Sequence, residues 1–368
     1  LGPDQVPELL TTVRQQSARE RETSLLFREG KADQALARKA EDGTLELVPG
    51  GYREAIERVA ELWAARRRVH GADPSYRLSV TAPTNEDARA ISAAIRARRR
   101  VAGELGADVA TLKATDQNGA AFDLALARGD RVRLFANAGA ALADGKAGNI
   151  GRNGSVLTVL DVSGEGLHLR NARGTEGLVK WATLRNPASG RIRLSYGDCL
   201  TINSAQGVTS TEHINALPRG SRSVTAHAAY VAESRHRRQS WLVTSDGAER
   251  QEISARRPLG DARPIRSEDV LGNMARNLSR QPEKPSALLF LERAGVAVRA
   301  SARGLQRGLR PAEERRSAGR QPTTLRRTYA RQRLKAAARA VHERLIQPAL
   351  EAAAVASRQH KTKARSIR

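Results

Sequence analysis

Two stretches of this sequence combine residue types and spacing that suit contact with phosphate groups. The first is TINSAQGVTS, residues 201–210, in which small hydroxyl side chains end an apolar run and lead into a Gln-Gly turn. A strand end of this kind presents backbone N–H groups and short side chains to a ligand, which favours a phosphate or a nucleic-acid backbone. The second stretch, AYVAESRHR at residues 229–237, follows in the same order along the chain.

This ordered pair resembles motifs V and VI of superfamily 1 helicases, especially the RecD-like branch, where T-x-H-K-x-Q-G precedes Y-V-A-x-[ST]-R-x-[RK]. This chain has Asn203 and Ser204 where that pattern carries His-Lys. The resemblance implies that motif V couples closure of an ATP cleft to movement along single-stranded DNA. The residues assigned to this coupling are Thr201, Ser204, Gln206 and Gly207. Arg235 in motif VI would act like an arginine finger on the transferring phosphate.

Further segments fit the same resemblance. LLTTVRQQ at residues 9–16 is similar to motif IV, whose Arg14 would approach the γ-phosphate of ATP. SVTAPTNEDARAIS at residues 79–92 is similar to a strand and helix of the second RecA-like domain. There, Thr84 and Asn85 would face single-stranded DNA.

A run of short alternating segments begins with GDRVRLF at Gly129 and includes an Asn153-Gly154 turn. These segments predict a small barrel of about five strands. The barrel is similar to the SH3-like barrel inserted in RecD-type helicases. Within it, Lys180 and Trp181 are candidates to pair and stack with a nucleotide strand.

The sequence contains no G-x-x-x-x-G-K-[ST] phosphate loop. Its Gly-Lys pairs, at 30–31 and 145–146, are each followed by Ala. No Walker B carboxylate pair precedes Arg14. We therefore expect ATP and Mg²⁺ to be cofactors of a complete enzyme that contains an upstream RecA-like domain, and we expect no ATP hydrolysis by this chain alone.

Each candidate residue also has an ordinary structural explanation. Arg14 and Arg235 could be solvated arginines on helix ends, and residues 201–207 could be a strand end with a glycine turn. Thr84 and Asn85 could serve only to cap a helix. Lys180 could be a surface residue beside a half-buried barrel tryptophan.

The charge is strongly basic. The chain has 63 Lys and Arg against 39 Asp and Glu, a net charge of +24. Residues 251–368 hold 27 of the basic and 10 of the acidic residues, which leaves +17 on that segment. Such an excess favours a polyanionic partner such as nucleic acid, and the helicase resemblance implies that this partner is single-stranded DNA.

Other features limit the alternatives. The single cysteine, Cys199, excludes a disulfide framework, and the seven scattered histidines suggest no metal site. No apolar run approaches the roughly 18 residues of a membrane span, and no signal peptide is evident, so we expect a cytoplasmic protein. The first residue is Leu1, which suggests that the sequence is a piece of a longer protein.

Hydrophobic periodicity and charge predict an α/β protein with four parts. The helicase resemblance implies that the core is a RecA-like domain of the P-loop NTPase type, acting as the second motor domain. The predicted parts are helices from the end of the first RecA-like domain at 1–70, the second RecA-like domain at 71–128 and 196–250, an SH3-like barrel at 129–195, and a basic α-helical tail at 251–368 with a disordered end.

The function predicted from these observations is the C-terminal part of a DNA helicase. The nearest resemblance is to conjugative relaxase-helicases of the MobF and TraA type, in which a relaxase domain lies upstream. One alternative is a non-catalytic nucleic-acid-binding protein derived from a helicase. A second alternative is an adaptor in a DNA-transfer complex, which would dock through an amphipathic helix at residues 324–346.

Overall fold

The computed structural model describes residues 14–143 and 145–281. Most of the motif IV segment precedes these residues, although Arg14 is included. The amphipathic stripe at 324–346 and the end of the basic tail also lie outside the described residues.

The structure consists of helices and strands in mixed order. The helices are α1 (Ala18–Arg28), α2 (Ala32–Glu41), α3 (Tyr52–Val69), α4 (Asn85–Val101), α5 (Trp181–Leu184), α6 (Ala226–Glu233), α7 (Asp246–Arg256) and α8 (Ser267–Leu278). The strands are β1 (Leu45–Val48), β2 (Leu78–Ala82), β3 (Ala110–Thr115), β4 (Ala121–Leu126), β5 (Arg131–Leu134), β6 (Ala138–Leu142), β7 (Ala147–Gly151), β8 (Val156–Val162), β9 (Gly166–Arg170), β10 (Glu176–Lys180), β11 (Leu194–Tyr196), β12 (Cys199–Thr201), β13 (Ser210–Leu217) and β14 (His236–Ser245).

A five-stranded sheet in the order β1-β14-β13-β2-β12 forms the centre of the fold, and all its pairings are parallel. Parallel sheets bury both faces, so their strands are apolar on both sides. In β14, Trp241 and Val243 pack with α3 and α4, whereas Leu242 packs on the opposite face with α1, α2, α6 and α8. The predicted α/β class is therefore confirmed, with helices covering both faces of the sheet.

A separate antiparallel sheet is inserted between α4 and β12. It has seven strands in the order β11-β5-β8-β9-β10-β6-β7, and the β3-β4 hairpin packs beside it. Leu134, Leu157, Leu169 and Val179 belong to its own buried core. The insertion was predicted, but the expected number of strands was too low because β6, β7 and β11 are short and lack clear alternation. Its assignment to the SH3-like type stays a prediction.

The start of the parallel sheet differs from the predicted domain boundary at residue 70. Strand β1 pairs in parallel with β14, from Leu45 opposite Leu242 to Val48 opposite Ser245. Helix α3 packs Ile56, Val59 and Trp63 into the core shared with β2 and β13. Residues 45–69 therefore belong to the parallel-sheet domain and not to a preceding domain, as do α1 and α2, whose Phe27 and Leu36 pack on the other face of the sheet. A four-residue edge strand is too short to signal this from its pattern.

The predicted start of the tail at residue 251 is also corrected. That position lies within α7, and α8 follows it as part of the globular core. Val270, Met274 and Leu278 of α8 are at most 1% exposed, in the cluster that includes α2 and α6. Many arginines lie on the outer faces of these helices. Because they make the overall composition of the segment basic, the composition does not show the apolar face.

Candidate nucleic-acid interface

Two of the predicted DNA-contacting segments meet at one edge of the parallel sheet. Strands β2 and β12 are neighbours, with Ala82 opposite Thr201. Thr84 follows the end of β2, and Ser204 follows the end of β12. We call this edge the carboxyl edge, and ligands of open α/β sheets commonly bind at such edges.

At this edge, Thr84 caps α4. Its hydroxyl accepts a hydrogen bond from the Asp87 backbone N–H at 3.1 Å and donates to the Asp87 carboxylate at 2.7 Å. Asp87 also accepts from Arg219 at 2.9 Å. The capping role considered for Thr84 is thus present, while its side chain and that of Asn85 remain at least partly exposed. DNA contact by these two residues stays a prediction.

Residues 201–209, which follow β12, form a compact turn segment that we call the motif V turn. The hydroxyls of Thr201 and Ser204 lie 2.6 Å apart, and the Ser204 backbone N–H donates to the Thr201 hydroxyl at 3.3 Å. Gln206 and Gly207 are exposed. Gly207 has φ +87°, a conformation that only glycine adopts without strain, so this residue is required by the turn itself.

Arg14 and Arg235 converge on Ser234, and we call them the arginine pair. Arg14 Nη1 donates to the Ser234 carbonyl at 2.5 Å, and Arg235 Nη2 donates to the Ser234 hydroxyl at 3.0 Å. Burial lowers the pKa of Arg235, and the nearby charge of Arg14 lowers it further. Within the described part of the chain, neither guanidinium forms an ion pair with a carboxylate. The pair therefore carries positive charge available to an anion.

The arginine pair lies at the opposite edge from Thr201, where the parallel strands begin. Arg235 immediately precedes β14, and its carbonyl accepts from the backbone N–H of Ser210, the first residue of β13. The motif V turn spans the two edges, because it begins at Thr201 and ends at Thr209, whose hydroxyl accepts from Arg14 Nε at 3.0 Å. One short segment therefore carries Thr201 and Ser204 at the carboxyl edge and contacts Arg14 at the other.

A buried ion pair that the sequence analysis missed supports the helix end carrying Arg235. Lys39 and Glu233 lie 2.9 Å apart, and their side chains are 2% and 1% exposed. Glu233 also accepts from Asn215 at 2.9 Å and from Ser240 at 2.6 Å. Burial alone would raise the pKa of Glu233, but Lys39 and these hydrogen bonds hold it below its ordinary value. A glutamate within the otherwise apolar run AYVAE was the available signal.

A basic cleft of about 970 Å³, also missed from the sequence, lies between the parallel sheet and the insertion. Its basic lining residues are Arg77, Arg131, Arg152 and Arg173. Asp198 lies in the same lining, and burial raises its pKa while Arg131 and Arg99 oppose that rise. The arginines come from separate strands and loops, so no local sequence pattern marks them. The motif V turn forms part of the cleft wall through Ala205, Val208 and Thr209.

Lys180 lies apart from these groups. It ends β10 in the insertion and is exposed. The neighbouring Trp181 is half-buried and donates its indole N–H to the Ser163 carbonyl at 3.1 Å, the ordinary explanation considered above. In residues 14–143 and 145–281, no hydrogen bond or ion pair links Lys180 to the other predicted site residues.

The side chains of His, Cys, Asp and Glu are the possible ligands of a metal ion. Across the described ranges, no cluster of His, Cys, Asp and Glu could hold a metal ion. Cys199 is buried, and burial raises the pKa of its thiol well above the ordinary value. None of the helices seen in these ranges has the length and apolar character needed to cross a membrane.

Comparison with solved structures finds similarity to Pif1 helicases. The Pif1 helicase from Bacteroides in complex with ADP-AlF3 and ssDNA has 16% identity and a TM-score of 0.38, over 78% of this chain and 56% of that one. The Pif1 helicase from Candida albicans has 14% identity and a TM-score of 0.35, over 66% of this chain and 58% of that one.

This chain thus spans little more than half the length of these two structures. No model of a known protein family and no curated protein matches the chain.

Proposed function

We propose that this chain is the second RecA-like domain, with an SH3-like insertion, of an ATP-dependent DNA helicase of superfamily 1. In this proposal the carboxyl edge binds single-stranded DNA, with Thr84, Asn85, Thr201 and Ser204 as contacts. The arginine pair would complete a nucleotide site whose other half lies on a different RecA-like domain. Lys180 would be a peripheral DNA contact on the insertion.

The observation that supports this proposal is that the motif V turn extends from the carboxyl edge of the sheet to Arg14. Its first residue, Thr201, lies at the carboxyl edge, and its last residue, Thr209, is bonded to Arg14 at 3.0 Å. A displacement of the arginine pair by a nucleotide would therefore be transmitted to the DNA-facing hydroxyls through a single short segment. Coupling between two sites requires an element of this kind, which responds to both ligands.

The nucleotide part of the proposal depends on charge. Two guanidinium groups without carboxylate partners, both donating to Ser234, suit the multiple negative charges of a terminal phosphate. ATP would supply the phosphoanhydride bond whose cleavage drives movement. The described residues do not fit Mg²⁺, because they contain no acidic cluster. We therefore assign Mg²⁺ and the phosphate-binding loop to the other domain.

The wider setting of the proposal rests on the sequence resemblance alone. It comprises a conjugative relaxase-helicase with an upstream relaxase domain, partner proteins of a DNA-transfer complex, and a location in the cytoplasm. It also includes the first RecA-like domain, which would precede α1, and a basic tail beyond residue 281.

A specific alternative is a nucleic-acid-binding protein without motor activity. The basic cleft supports it, because Arg77, Arg152 and Arg173 are exposed and form no ion pairs with described carboxylates. Such a surface would bind a phosphate backbone through these arginines and would not need the hydroxyls of Thr201 and Ser204.

Binding of a fluorescent oligothymidylate of about 16 nucleotides to the full chain separates these two functions. We expect the double variant Thr201→Val with Ser204→Ala to weaken binding by about tenfold, because it removes hydrogen bonds to phosphate. We expect the matched double variant Arg152→Ala with Arg173→Ala to have a smaller effect. The reverse order of effects would favour the alternative, and no binding by the unaltered chain would reject both.

Hydrolysis provides a second test. The purified chain should show no DNA-stimulated ATP hydrolysis, because the described residues provide only the arginine pair. Detectable stimulated turnover by this chain would contradict the division of the site between two domains.

A further inference from the structure

Arg133, on β5 of the insertion, reaches across to the motif V turn. Its Nη2 donates to the Ser204 hydroxyl at 2.6 Å, although the two residues are 71 positions apart in the chain. Arg133 is only 4% exposed, whereas Ser204 is partly exposed. A buried cation of the insertion therefore lies directly behind a hydroxyl at the carboxyl edge.

The positive charge of Arg133 has no counter-ion. In the described ranges it forms no ion pair, and the carboxylate that acts on it at longer range, Asp116, is bonded to Arg89 at 2.7 Å. Its Nε is buried and has no hydrogen-bond partner. The ring of Phe135, 4.9 Å from the guanidinium carbon, compensates only in part. A buried charge without a partner is costly, so a bound anion would stabilise this arrangement.

The hydrogen bonds of the turn also leave one donor unused. Thr201 and Ser204 have two hydroxyl hydrogens between them, and only one can occupy the 2.6 Å contact that joins them. Arg133 and the Ser204 backbone N–H both donate into this pair. Whichever hydroxyl donates to the other, one hydrogen has no acceptor within the described part of the chain.

We propose that Arg133 and the hydroxyls of Thr201 and Ser204 form a binding site for one phosphodiester group of a nucleic-acid strand. Thr201 is 8% exposed and donates to Ser204, so the partly exposed Ser204 hydroxyl donates its hydrogen to a phosphate oxygen, and Arg133 supplies positive charge behind it. Arg133 is thus a positioning and charge-supplying residue contributed by the insertion. This inference rests on the proposed function, which places the DNA strand along the carboxyl edge.

This site makes the insertion part of the DNA-binding surface. Because the guanidinium comes from β5 and the hydroxyls come from the parallel-sheet domain, the bound phosphate would draw the two sheets together at this point. A purely structural role for Arg133 would hold the turn in place but would leave no dependence of DNA affinity on its charge.

The test compares Arg133→Met with Arg133→Lys in the full chain. The affinity for the oligothymidylate is measured from about 50 to 200 mM salt, where each phosphate contact on a single strand contributes roughly 0.7 to the slope of log affinity against log salt. We expect Arg133→Met to bind about tenfold more weakly at low salt and to lose roughly 0.7 of the slope. Arg133→Lys should keep the slope because it keeps the charge.

Arg128→Met is the matched control, since Arg128 is exposed near the same strand and already bonded to Asp161 at 2.9 Å. It should bind as the unaltered chain does. A slope unchanged in Arg133→Met would overturn the inference while leaving the proposed function in place, provided that Thr201→Val still weakens binding. Absence of binding by the unaltered chain would instead reject the proposed function and, with it, the inference.

Thermal unfolding shows whether Arg133→Met folds. If it does not, Arg133→Gln carries the test, because it removes the charge and keeps side-chain N–H groups beside Ser204. A loss of roughly 0.7 of the salt slope is expected in this variant. An unchanged slope would overturn the inference.

Discussion

Arg235 occupies a helix end whose backbone is held by charges buried from water. Glu233, two residues before it, is bonded to Lys39, Asn215 and Ser240, and the Glu233 carbonyl accepts from Ser24 at 2.9 Å. Each of these side chains is at most 2% exposed. The position of the arginine finger candidate therefore depends on residues from four different elements.

Replacing Glu233 with Gln should destabilise the protein by about 3 kcal/mol, because it leaves the Lys39 ammonium buried without its counter-charge. The double variant Lys39→Met with Glu233→Met should be closer to the unaltered protein, since it removes both charges. Urea denaturation at neutral pH measures the free energy of unfolding of both variants. Equal losses in the single and double variants would show that the ion pair is not the cause.

His213 makes folding sensitive to acid. It is fully buried between Ser79 and Thr81, whose hydroxyls lie 2.8 and 2.9 Å from its ring nitrogens, and burial lowers its pKa to about 3. The unfolded chain gains a proton near pH 6.5. The stability that His213 contributes is therefore complete above about pH 6.5 and is lost as the pH falls from there toward 3.

The free energy of unfolding should accordingly fall by up to about 1.4 kcal/mol per pH unit below pH 6.5 on account of this residue. His213→Gln should reduce the slope of the unfolding free energy against pH, because the unfolded variant takes up one proton fewer. Denaturant titrations between about pH 6.5 and 5 would measure the slopes, and the difference between the two proteins isolates His213 from buried carboxyl groups whose pKa is raised, such as Asp198. Identical slopes would refute the assignment.

At the scale of elements, α8 has the clearest structural role. It packs on α2, α6 and α7, and its Asn273 and Asn277 bond the buried carboxylates of Glu249 and Glu252. The Arg280 backbone carbonyl, just after α8, accepts from the N–H of Ala226 at the start of α6. Helix α8 thus stabilises the helix that leads to Arg235.

Met274→Ala should destabilise the full chain by about 2 to 5 kcal/mol, because Met274 is fully buried and its loss leaves a cavity. Glu268→Ala, at an exposed position in the first turn of the same helix, should cost only about 0.5 kcal/mol. Chemical denaturation compares the two. If their effects were similar, α8 would be a peripheral helix instead of a core element.

At the scale of the whole molecule, charge should dominate affinity for DNA. The net charge is +24, and 17 of this excess lies beyond residue 250. If about six basic groups meet phosphates of one strand, affinity should fall by roughly 10² to 10³ between about 50 and 200 mM salt. Fluorescence anisotropy with the oligothymidylate measures this directly. A change below about threefold would point to recognition that does not depend on phosphate charge.

Local patterns in the sequence determined several elements correctly. The strand and helix expected within residues 79–92 are β2 and the first part of α4, because the side chains of each element must face a core at a fixed period. The Gln-Gly turn was also predicted from the sequence, and Gly207 in it has φ +87°, a conformation that excludes most other residues.

Contacts between distant parts of the chain were decided only by the tertiary structure. Lys39 meets Glu233, Arg133 meets Ser204, and Arg14 meets Thr209 across separations of 194, 71 and 195 positions. Periodicity shows which face of an element is buried but not which element covers it. For this reason the sequence indicated the residues of the motif V turn, whereas the packing of the insertion and of the N-terminal segment determined the charges beside it.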